Sequence, residues 1–102
     1  MVETLTESLP ETETSTRTEL APRWKVILHN DDVTTFEFVT ELLLTLFQKP
    51  RDEALKLTYE VHYSGSAVVE ITSKERAELQ VQKVKSLARP RGFPLTATAE
   101  LA

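Results

Sequence analysis

Trp24-Lys25-Val26-Ile27-Leu28 is a short apolar run broken by one charge, and its β-branched residues suit a buried strand. The run stops at His29-Asn30-Asp31-Asp32, a polar cluster of the kind that turns a chain. Thr34 with Glu37 three positions later has capping-box spacing and predicts a helix start. Along that helix Phe36, Val39, Leu43, Leu46 and Phe47 share one face at steps of three and four. Pro50 suits the first turn of a second helix, with Asp52 and Glu53 near its positive N-terminus. This helix carries Leu57 and Val61 at i, i+4, runs into His62-Tyr63, and meets a stop at Gly65.

Ala67-Val68-Val69-Glu70-Ile71 reads as a second strand. Thr72 with Glu75 repeats the capping-box spacing and opens a third helix, with Ala77, Val81, Val84 and Ala88 on one face and Pro90 and Gly92 ending it. From Leu95 to Leu101 threonines alternate with apolar residues, which predicts a last strand. The order is strand, helix, helix, strand, helix, strand. Three strands need cover on one face, and three amphipathic helices can supply it. The expectation is an α+β, two-layer domain, a three-stranded antiparallel sheet against three helices, spanning residues 23–102.

Composition divides the chain in two. Residues 1–22 hold five Glu, one Arg, six Thr and no aromatic residue, a charge of −4, while the remaining residues balance eleven acids against eleven bases. The first segment has too little apolar surface to offset the entropy of ordering it, and reads as a flexible acidic arm. It is the reverse of a basic transit peptide or a positively headed signal. No apolar run is long enough to span a membrane, and the charge disfavours general nucleic-acid binding. The absence of cysteine excludes a thiolate nucleophile, a disulfide framework and Cys-type metal sites.

Candidate chemistry gathers at Asn30, Asp31, Asp32 and the separate His62. Asn and Asp side chains offer acceptor oxygens, and a neutral imidazole offers one acceptor nitrogen. A free α-ammonium group carries three N–H donors and a positive charge, so it needs about three acceptors with an anion among them. An Asn, an Asp and a neutral His fit that count. A helix-initiating turn that satisfies its own backbone, beside an ordinary surface His, accounts for the same residues. Spacing alone does not bring His62 to the turn. A metal held by His29, Asp31, Asp32 and His62 is disfavoured, because successive side chains at the strand end point to opposite faces. Ser64 and Ser66 near His62 lack a nucleophile elbow or oxyanion loop. The expectation is no catalysis, no cofactor and no metal.

Three ordered motifs carry a family resemblance. Lys25 through Asp32, followed by Thr34 and by Glu37-Phe38-Val39, resembles the opening signature of the ClpS family, the adaptor of the Clp protease. Glu60-Val61-His62-Tyr63-Ser64-Gly65 is similar to the family's Val-His-x-x-Gly motif, and Leu87-Ala88-Arg89 with Gly92-Phe93-Pro94-Leu95 to its C-terminal end. The match runs over residues 23–101.

The resemblance implies a monomeric adaptor of the bacterial cytoplasm with no enzymatic, nucleic-acid or membrane role. It would take proteins with a destabilising N-terminal Leu, Phe, Tyr or Trp, the N-degrons of the N-end rule. It would hand them to a Clp AAA+ unfoldase of the ClpA or ClpC type by binding that partner's N-terminal domain. By the same resemblance Asn30, Asp31, Asp32 and His62 surround the substrate's α-amino group. Thr34, Phe36, Val39, Thr58, Val61 and Leu95 line the side-chain pocket, Glu75 and Gln80 meet the unfoldase, and the arm assists delivery. Several positions depart from the family pattern. Phe36 and Thr58 stand where methionine is common, Val33 where an aromatic residue is common and Thr35 where proline is. Gln80 replaces a basic residue, Glu70 a small one, and Pro90 a helix-compatible one. A non-catalytic protein-interaction domain of α+β fold like that of the ribosomal stalk protein, or less favoured a small metal-dependent hydrolase, is the alternative.

Overall fold

A computed structural model of the protein describes residues 21–102. The acidic arm expected over residues 1–22 lies, up to residue 20, outside the described residues. Strand β1 (Trp24–His29) is followed by helices α1 (Phe36–Thr45) and α2 (Arg51–Ser64), strand β2 (Ser66–Thr72), helix α3 (Lys74–Ala88), a 3-10 turn (Arg89–Arg91) and strand β3 (Thr96–Leu101). The sheet has the order β2-β1-β3, and both pairings of the central β1 are antiparallel. The α+β architecture is the one expected.

Period-two patterning explains the sheet. Val26 and Leu28 point to the helices and are fully buried, and Ile27 packs on the outer face between its partners Val68 and Thr98. The core joins them to Leu43, Val61, Val69, Val84 and Leu95. One device was not read from the pattern. The β1–β2 register shifts between Val26 and Ile27, so Val26 pairs with Glu70 while Ile27 pairs with Val68. Val69 is the extra residue of this bulge, and both Val69 and Glu70 face the helices.

Both helix N-caps fall one residue later than expected, and neither is a capping box, since Phe38 and Arg76 stand where its Glu or Gln would be. Thr35 caps α1, its hydroxyl accepting from the Phe38 N–H at 3.1 Å, and Ser73 caps α3, accepting from Arg76 N–H at 3.2 Å. Thr34 is turned the other way, its hydroxyl and N–H both donating to Asp31. The buried face of α1 shifts with the start. Phe38, Val39, Leu42 and Leu43 are buried, whereas Phe36 is left half-buried on the rim. Phe38 gains its place from the C-terminal segment, with Phe93 at 4.9 Å between ring centres and the Arg91 guanidinium 5.2 Å from its ring.

In α2 the buried stripe is Ala54, Thr58 and Val61, with Leu57 only half-buried, and Pro50 flanks the helix as its N-cap. In α3 Gln80 takes the buried position expected of Val81. Helix α3 ends at Ala88, and Gly92 takes a left-handed φ of 79° beyond the turn that holds Pro90. The last strand begins at Thr96, so Leu95 just precedes it.

Candidate functional site

The end of β1 and the end of α2 meet. His29 pairs with Ser66 and Thr96, which brings Asn30 out of the sheet beside Gly65. Gly65 closes α2 with φ 94°, a conformation that costs glycine little, and its carbonyl receives the Asn30 N–H at 2.9 Å. The Asn30 side chain adds a long bond, Nδ2 donating to the His62 carbonyl at 3.4 Å. With the NH2 end so used, the amide oxygen remains as an acceptor. Thus Asn30 and His62 share one corner of the molecule.

Asp31, expected among the α-amino ligands, also organises the turn. Its Oδ1 accepts from the Val33 N–H at 2.8 Å and the Thr34 N–H at 2.7 Å, and its Oδ2 accepts from the Thr34 hydroxyl at 2.7 Å. Burial alone pushes the Asp31 pKa up. The Thr34 hydroxyl, the two N–H donors and the positive charge of Arg89 together outweigh it and hold the carboxyl below its usual 3.8. Asp32 is exposed and makes no hydrogen bond to another described residue, so its carboxylate is the anion available at this corner.

His62 is exposed on α2 within a ring of aromatic contacts. Tyr63 lies edge-on at 4.8 Å and Phe36 at 6.4 Å; Phe36 in turn meets Tyr59 edge-on at 4.9 Å, and Tyr59 stacks with Tyr63 at 5.9 Å. These four rings close a circuit that limits how the imidazole and the Phe36 ring can turn. Tyr59 and Tyr63 were not singled out from sequence, where the helical face of Leu57 and Val61 drew the reading.

Of the residues expected to line a side-chain pocket, Val39, Thr58, Val61 and Leu95 are buried, Val39, Val61 and Leu95 as members of the domain core, while Thr34 and Phe36 are half-buried. Arg89 supports Leu95 by donating to the Phe93 carbonyl at 3.0 Å and the Leu95 carbonyl at 2.9 Å. That role was missed from sequence, although the residue lies in a quoted motif. A groove of about 280 Å³ between Phe38, Leu42, Leu87 and Arg91 shares none of these residues. His29, one of the metal ligands weighed above, instead places Nε2 2.8 Å from the Thr98 hydroxyl.

The residues expected to meet the unfoldase separate. Glu75 is exposed in the first turn of α3, at the Trp24 end of β1, where Lys74 lies 5.5 Å from the Trp24 ring. This is the opposite end of the strand from Asn30. Gln80 is a correction, since it is only 2% exposed and presents no docking surface. Its amide donates to Glu70 Oε1 at 3.0 Å and lies 3.5 Å from the Leu46 carbonyl, while Arg76 pairs with the other Glu70 oxygen. The two departures noted at positions 70 and 80 are therefore one paired feature, made possible by the bulge.

The ClpS family model, described as ATP-dependent Clp protease adaptor protein ClpS, matches residues 19–98. The chain belongs to the ClpS family. A ClpS adapter protein of Nautilia profundicola is 46% identical over 77 residues, covering 76% of this chain and 79% of that protein. One of Campylobacter jejuni is 39% identical over 94 residues, covering 90% and 98%. Among solved structures, Agrobacterium tumefaciens ClpS2 bound to L-phenylalaninamide superposes with a TM-score of 0.76 at 36% identity, over 79% of this chain and 98% of that one. ClpS proteins are adaptors of the Clp protease and not enzymes, so the hydrolase alternative is set aside. None of the helices among the described residues is long and apolar enough to cross a membrane.

Proposed function

We propose that this ClpS protein binds the free N-terminus of proteins that begin with Leu, Phe, Tyr or Trp, and delivers them to a ClpA- or ClpC-type unfoldase in the bacterial cytoplasm. The observation that carries the reading is the Asn30–His62 contact, which joins two distant motifs into one acceptor-rich corner above an apolar core. The ClpS2 relative supports it, since L-phenylalaninamide has a free α-amino group and a bulky aromatic side chain. In this reading Asn30 Oδ1, the Asp32 carboxylate and a neutral His62 accept from the ammonium, while Asp31 holds the turn. Thr34, Phe36, Val39, Thr58, Val61 and Leu95 surround the first side chain.

Selectivity follows from what an internal residue lacks. It presents one amide N–H and no charge, and so leaves acceptors without partners, at about 1–3 kcal/mol for each neutral group and more for a charged one. Burial of the first side chain contributes about 1.5–3 kcal/mol. Glu75 and the exposed start of α3 are the docking surface for the unfoldase, acting as a monomer, and residues 1–22 serve delivery. Binding of a labelled peptide series that varies only the first residue, with an N-acetylated control, tests the reading. Strong binding of free Leu, Phe, Tyr or Trp peptides and loss on acetylation is the expected result. Equal binding of acetylated and free peptides would sink it.

A further inference from the structure

Thr58 lies on the inward side of α2, 2% exposed, among the side chains assigned to the first-residue pocket. Its hydroxyl is 2.7 Å from the Ala54 carbonyl and 2.9 Å from the Thr40 hydroxyl, and Thr40 is itself 3.1 Å from the Phe36 carbonyl. Each hydroxyl has one hydrogen and two lone pairs. Thr58 donates to Ala54, and Thr40 donates either to Thr58 or to Phe36. In both arrangements Thr58 keeps at least one lone pair unused. The buried pair is therefore rich in acceptors, and the ligand group it suits is a donor.

Its depth is also defined. Thr58 stands one helical turn, about 6 Å along the axis, from His62. A side chain whose α-amino group sits at Asn30 and His62, and which runs inward beside α2, meets Thr58 near its far end. The tip of a tyrosine ring reaches this level, whereas a leucine stops short. Phe36, held edge-on by Tyr59 at 4.9 Å, keeps the neighbouring wall in place.

We infer that Thr58 is a specificity-determining residue that favours tyrosine over phenylalanine as the first residue of the bound N-terminus, by accepting the phenolic hydrogen bond; this rests on the α-amino reading proposed above. A phenol buried against apolar groups alone loses its bond to water without replacement. Here Thr58 supplies the replacement. Phenylalanine makes no use of it.

The test compares two peptides that differ only in a first Tyr or Phe, each with an N-acetylated control, by fluorescence anisotropy. They are measured against the wild-type full chain, Thr58→Val and Thr58→Ser. Valine keeps the shape of threonine and removes the hydroxyl, and serine keeps the hydroxyl. The preference for Tyr over Phe is expected to fall by about five- to tenfold in Thr58→Val, the loss of one buried hydrogen bond, and to persist in Thr58→Ser. If Thr58→Val does not fold, Thr58→Ala carries the same comparison. Free peptides that bind with the same Tyr-to-Phe ratio in wild type and in the hydroxyl-free variant overturn this inference and leave the α-amino reading standing. Equal binding of free and acetylated peptides overturns both.

Discussion

The Asn30 side chain reaches the main-chain carbonyl of His62 at 3.4 Å, across 32 positions of sequence. The bond orients the Asn30 amide and ties the turn after β1 to the end of α2. Replacement of either acceptor, or of the nearby anion, should therefore act on ligand binding more than on stability. His62→Ala and Asp32→Ala are each expected to weaken binding of a Leu-initiated peptide by tenfold or more, about 1.4 kcal/mol or above, because both residues are exposed and bear little of the core. Titration calorimetry checks this, and wild-type affinity in both variants would remove the proposed site.

Asp31 should behave in the opposite way, as a residue of the fold. Its carboxyl is held below the usual 3.8 in the folded state. A depressed folded value contributes stability that is complete well above the unfolded value and disappears as pH falls through the folded one. The contribution of Asp31 is thus expected to be lost on acidification below about pH 3.9. Asp31→Ala should cost about 1–2 kcal/mol at neutral pH, since three donors lose their acceptor. Urea unfolding of wild type and variant, repeated at pH 7 and pH 3, should show the gap narrowing in acid; a constant gap contradicts the assignment.

Glu70 and Gln80 form a pair that stands or falls together. Glu70→Ala leaves the buried Gln80 amide without its 3.0 Å partner and should destabilise the protein by about 1–3 kcal/mol. Adding Gln80→Leu removes the unsatisfied amide and should recover much of that loss. Additive unfolding energies in the double-mutant cycle would show that the contact has no energetic meaning.

Gln48 is a non-glycine residue at φ 54°, in the link between α1 and α2. A side chain in the left-handed region costs about 1–2 kcal/mol, part of which returns as the greater unfolded-state entropy of glycine. Gln48→Gly is therefore expected to stabilise the fold by about 0.5–1 kcal/mol. A fall in melting temperature would contradict that strain.

Deletion of residues 1–22 separates the two parts that composition distinguishes. Peptide affinity should stay within about twofold, because no residue of the proposed site lies there. Degradation of a Leu-initiated substrate by the reconstituted Clp unfoldase and protease should fail. Full degradation by the truncated chain would deny the arm its role in delivery.

Element type and order were legible in the chain because hydrophobic period is a local property. Val26, Ile27 and Leu28 form one short apolar run, and the stripes of α2 and α3 recur every three or four residues. The acidic composition of the first segment, the turn after β1 and the stop at Gly65 were legible because they too are local. Helix starts were off by one because Thr34 and Thr35 are equivalent as local caps. Only the hydrogen bonds from Thr34 to Asp31 choose between them.

What the tertiary structure alone decided is a matter of partners. Asp31 and Asp32 are adjacent and chemically alike, yet one is bonded into its turn and the other faces solvent. Gln80 is polar and occupies a core position because a bulge, set by the pairing of Glu70 with Val26, turns a carboxylate toward it. Asn30 and His62 meet because an antiparallel sheet returns Ser66 beside His29. Residue pattern carries information along the chain. Which acceptor is left free, and which donor reaches it, depends on contacts across it.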